Sequence, residues 1–136
     1  MPSLLSPRLI LEQDWCRRPT MNGTPGGQRK PFDAWDTVHD RLATFRALEE
    51  NWDGQGARAP SGELLDSALA LTTLLRDRGV EAPSGAAPGP MGTVLLVWQG
   101  KDGTYCEVEV ERPFYAEVML VEPGKPARHW VLPEPA

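Results

Sequence analysis

Three glutamates, Glu107, Glu109 and Glu111, recur at every second position. On a β-strand that period places all three on one face, and Glu117 in the next segment falls across from them. Paired carboxylates perform hydrolysis when a cleft gives them unequal environments, so that one keeps its proton while the other loses it. Without a cleft, a row of like charges keeps a sheet face solvated and discourages edge pairing, or forms a docking surface for a basic partner. Nothing in this stretch signals a cleft, so solvation and docking rank above catalysis.

The other residues capable of chemistry are sparse. His39 and His129 are the two imidazoles, and Cys16 and Cys106 the two thiols. Zinc chelation joins closely spaced pairs of such ligands, and no pair here has that spacing. A cysteine nucleophile needs a histidine beside it in a cleft, whereas Cys106 falls at an inward strand position, where a thiol is packing. Asn51 and Asp53 offer two oxygen side chains, too few for a hard cation; an Asx turn at a helix stop explains them. The stretch from Gly85 to Gly92 lacks the lysine and the strand-then-helix context of a phosphate loop. These absences predict a protein that is not an enzyme, with no cofactor and no metal ligands.

The five tryptophans divide by position. Trp35, Trp52 and Trp98 are expected in the core, with Trp52 pinning its loop. Trp15 and Trp130 lie in terminal segments, and large aromatics left near a surface mark interfaces. The expected binding residues are therefore Trp15, Trp52, Asp53, Glu107, Glu109, Glu111, Tyr115 and Trp130.

The elements that must hold these residues follow from periodicity. Trp35, Val38, Leu42, Phe45 and Leu48 recur at helical spacing and predict a helix over 33–50, with Asp33 as N-cap. Ser61 caps a second helix over 62–78, whose face carries Leu64, Leu65, Ala68, Leu69, Leu71, Thr72 and Leu75; Gly79 and Val80 suit a Schellman end. Between them lies Asn51-Trp52-Asp53-Gly54-Gln55-Gly56-Ala57, a helix stop and turn. Residues 82–92, rich in Gly, Pro and Ala, read as a linker. The period then changes to two, predicting strands over 93–99, 104–111 and 115–121 and a short one over 129–132. The run 93–99 is apolar on both faces, as in a central or doubly covered strand. The expected fold is α+β: two N-terminal helices packed on one face of a three- to four-stranded antiparallel β-meander.

The helix stop at 51–57, the start at Pro60-Ser61, the strand Gly92–Trp98 of the type Gly-x-Val-x-Leu-x-Trp and the Glu107–Glu111 alternation together resemble a group of small bacterial proteins. Members share Asn-Trp-Asp-Gly-x-Gly-Ala between two helices, followed by a β-meander. The resemblance covers about residues 42–111. It implies no catalytic residue and suggests an accessory or partner-binding role.

Length and charge bound the rest. A chain of 136 residues supports one core. Residues 1–31 read as a basic N-terminal arm and linker, and 32–136 as a single α+β domain. Residues 1–30 carry Arg8, Arg17, Arg18, Arg29 and Lys30 against Glu12 and Asp14, a balance of +3, which leaves −8 for the remainder of a chain whose total is −5. An acidic body argues against nucleic-acid binding, which needs cations to displace phosphate counterions. No apolar run reaches membrane-spanning length, and no signal peptide is evident, so a cytoplasmic location is expected. The sequence thus predicts a small, soluble, non-enzymatic protein acting by protein–protein binding, antitoxin-like or immunity-like. The alternative is a regulatory module holding a small molecule in the helix–sheet groove near Trp52 and Trp98. A free edge on the last strand leaves homodimerisation by sheet extension open.

Overall fold

A computed structural model describes residues 33–132. The expected arm at 1–31, including Trp15 and Cys16, lies outside the described residues. The chain forms helices α1 (Ala34–Thr44) and α2 (Gly62–Asp77), then strands β1 (Gly85–Pro88), β2 (Val94–Gln99), β3 (Tyr105–Arg112), β4 (Tyr115–Val121) and β5 (Arg128–Leu132). The five strands make one antiparallel sheet in the order β1-β2-β3-β4-β5.

The class is α+β, but the sheet has five strands rather than three to four. The extra one, β1, lies within the stretch read as a linker. Its Gly-Ala-Ala-Pro sequence has little β-propensity and no alternation. Pairing makes it a strand: Gly85 lies opposite Val97 and Pro88 opposite Val94. As an edge strand it tolerates proline. β2 accordingly sits second from that edge, and β3 holds the middle.

α1 is also shorter than its periodicity predicts. Asp33 caps it, its carboxylate accepting from the Trp35 N–H at 2.9 Å. The helix tightens to a 3₁₀ turn at Phe45–Ala47, and Leu48 is already extended. The Thr44 hydroxyl donates to the Arg41 carbonyl at 2.6 Å, a local bond that bends helix ends. α2 follows its sequence signals closely. Ser61 Oγ accepts from the Leu64 N–H. At the other end the Val80 N–H donates to Leu75 and the Gly79 N–H to Arg76, with Gly79 at φ +79°, the two bonds of a Schellman end.

One cluster of buried side chains draws on both helices and on alternate residues of all five strands. From the helices come Trp35, Val38, Leu42, Leu65, Leu71 and Leu75; from the sheet, Ala86, Leu96, Val108, Val118 and Leu132 are representative. Two tryptophans tie this core to the α2–β1 connection, Trp35 Nε1–H donating to the Val80 carbonyl and Trp98 Nε1–H to that of Glu81.

Candidate functional surface

The inward residues of each strand belong to the core, so their neighbours in sequence build the opposite face of the sheet. The register sets them in rows. Ala87, Leu95, Glu109, Glu117 and Val131 lie side by side across the five strands, and Gly85, Val97, Glu107, Met119 and His129 form the next row. This face is thus apolar over β1 and β2, acidic over β3 and β4, and mixed beyond.

Hydrogen bonds hold the acidic part in place. Thr93 Oγ donates to Glu109 Oε2 at 2.9 Å, and the Tyr105 hydroxyl to Glu107 Oε1 at 3.0 Å. Burial, then that hydrogen bond, pushes the Tyr105 phenol above its ordinary range. Glu111 keeps the outward face that alternation predicts, and the alternation fails at Arg112, which is exposed where an inward residue is due. The register shifts between Val110 and Arg112, and this bulge sets an exposed Glu111 close to Glu109 and Glu117, with carboxylate oxygens within 4.8 Å of one another. Partial desolvation, a hydrogen bond with Glu117 and repulsion from Glu117 and Glu109 raise the Glu111 carboxyl above the usual range, against the opposing pull of Arg112. Three carboxylates on an open surface do not enclose an ion as a hard-cation site does.

Two shallow depressions lie on this face. One, of about 140 Å³, is lined by Glu107, Glu109, Glu117, Val118, Met119 and His129. The other, of about 230 Å³, is lined by Ser84, Gly85, Ala86, Ala87, Val97 and Gln99. The second exists because β1 carries so little side chain: a Cβ at Gly85 would meet nothing within 4 Å. It is not legible in the sequence, since Gly-Ala-Ala-Pro carries no strand signal. The outward glutamates, by contrast, were readable from alternation.

The remaining candidate residues are dispersed. Trp52 is half-buried and stands outside the core cluster, a correction to its expected place. Its Nε1–H donates to the Arg58 carbonyl at 2.9 Å, so it fastens its own loop rather than anchoring the core. Arg58 bridges to Met91, just before β2, whereas Trp98 lies near the far end of that strand. The groove imagined between Trp52 and Trp98 therefore has its two aromatics toward opposite ends of β2. Asp53 Oδ1 accepts from the backbone N–H groups of Gln55 at 2.8 Å and Ala57 at 3.0 Å, and these bonds hold its carboxyl below the ordinary range. Asn51, at φ +64°, accepts from the Gly56 N–H. Both polar side chains are thus engaged with their own loop.

Tyr115 is half-buried beneath the Arg112 guanidinium, 4.2 Å from its ring centroid. Trp130 is half-buried against the core, and its indole N–H is buried with no acceptor among the described residues. Cys106 is buried in the core, and burial pushes its thiol up to about 12. It faces away from His129, which lines the outer depression. His39 is paired with Thr72 Oγ1 at 2.9 Å, and burial followed by Arg76 lowers its pKa.

No helix among the described residues is long and apolar enough to cross a membrane. No family model, no curated protein and no solved structure matches the chain.

Proposed function

We propose that this is a non-enzymatic protein that works by binding another protein, and that the outer sheet face is its contact surface. In this reading the two helices cover the opposite face, and the acidic strip selects a basic partner. The observation that carries it is the gathering of Glu107, Glu109 and Glu117 beside Leu95, Val97 and Met119 on the strand face that the core cluster does not use. A charged strip flanked by apolar side chains supplies both steering and buried area. An inhibitory role of the antitoxin or immunity type, in the cytoplasm, fits the acidity and size. The resemblance at residues 42–111 supports the same non-catalytic reading. Tyr115, on β4, extends the contact along this face, whereas Trp130, paired with the core residue Val118, lies on the opposite side of the sheet.

The test is capture of a partner by the tagged full chain from its host, alongside the triple variant Glu107→Gln/Glu109→Gln/Glu117→Gln. A stoichiometric basic protein held by the parent and lost by the variant is expected. Equal retention by the variant would show that the contact lies elsewhere.

A further inference from the structure

We infer that the outer sheet face has an occupant within the same chain: the basic N-terminal arm, through residues 4–18, docks across β1–β4. This rests on the face identified above and assigns it a built-in competitor for the external partner.

Charge is the first argument. Residues 4–18 carry Arg8, Arg17 and Arg18 against Glu12 and Asp14, a balance of +1 with the cationic pair at the end nearer the body, against a body of −8. On the face itself Glu107, Glu109 and Glu117 surround the 140 Å³ depression. A second copy meeting this face with its own would set glutamates against glutamates, which is repulsive.

Composition is the second. Leu4-Leu5, Leu9-Ile10-Leu11 and Trp15 are apolar groups interleaved with Arg8, Arg17 and Arg18. The face has the complementary order, with an apolar hollow over β1 and β2 beside an acidic one over β3 and β4. β1 and β3 are two strand spacings apart, about 10 Å. Trp15 and Arg18 span about the same distance in an extended chain, so one aromatic in the hollow puts a guanidinium at the glutamates.

Position is the third. Asp33 begins α1, and Trp35 is bonded to the Val80 carbonyl. Four residues further on, Ser84 lines the β1 hollow. The arm therefore joins the body near the α2–β1 connection, which leads into the hollow. A Gly/Pro-rich connection of the length of 19–32 spans about 20 Å, ample for that distance. Addition of the arm as a sixth strand is disfavoured, because Arg41 Nε–H donates to the Ala86 carbonyl at 2.6 Å on the free edge of β1.

The experiment uses a nitroxide on Cys16 of the full, ¹⁵N-labelled chain; Cys106 is buried and its thiol is held neutral, so it does not compete for the label. The amide signals of Ala87, Val97 and Glu109 are expected to be lost, to return on reduction of the nitroxide, and to return in Arg8→Gln/Arg17→Gln/Arg18→Gln, a variant that leaves the body untouched. Thr73 and Asp66 on α2 keep their signals. Broadening centred on the helices, or none beyond the residues next to Asp33, would overturn the proposal. So would broadening that appears when spin-labelled unenriched chain is mixed with unlabelled ¹⁵N chain, since that places the arm on a second copy. The two readings fail separately: the nitroxide reports the arm with no partner present, and the capture experiment reports the partner.

Discussion

At the residue scale, the loop after α1 shows polar side chains spent on architecture. Asn51 holds a left-handed backbone while accepting from Gly56, and its N–H reaches the Ala57 carbonyl at 2.7 Å. An L-residue without a compensating side chain pays about 1–2 kcal/mol for that conformation. Asn51→Ala is expected to cost about 1–2 kcal/mol by denaturant unfolding, and Asn51→Gly, which relaxes the backbone but loses the side-chain bond, less. Equal losses would assign the effect to the hydrogen bond alone. Glu111 gives a pH-dependent case. Its carboxyl is raised in the folded chain, so its contribution is favourable while it is protonated and is lost as pH rises through the folded value. Glu111→Gln should therefore stabilise the fold at neutral pH, read as a raised Tm, with the gain held below about 1 kcal/mol because solvent screens an exposed cross-strand cluster. The gain should shrink in acid and at high salt. A gain that grew on acidification would reverse the sign argued here.

At the element scale, what was legible depended on whether local signals agreed with the final packing. α2 was readable from end to end because Ser61, the apolar stripe and Gly79 all state the same helix. The alternation of β3 was readable through Glu111, and the bulge that leaves Arg112 exposed was not, since it arises from pairing with β4. β1 was invisible because its existence depends on β2 as a template rather than on its own residues. The end of α1 was misplaced because Leu48 continues the apolar spacing after the helix has stopped. Packing energetics make the α2 reading testable. Leu71 is fully buried, and Leu71→Ala should cost about 2–5 kcal/mol. A loss below that range would mean the helix can collapse onto the sheet.

At the scale of the whole molecule, the sheet divides the protein's labour. One face contributes to the core, and the other presents glutamates, apolar side chains and two hollows to whatever meets it. The acidic strip was legible in the sequence, but its apolar flank and the β1 hollow emerged only from register. The terminal aromatics were legible as types and not as positions: Trp130 packs against the core, and Trp15 lies outside the described residues. Partner binding on the outer face is tested by methyl NMR of the full chain titrated with the captured partner. Shifts confined to Leu95, Val97, Met119 and Val131 are expected, with Leu71 and Val108 unmoved. Shifts confined to α1 and α2, with the outer methyls silent, would contradict it.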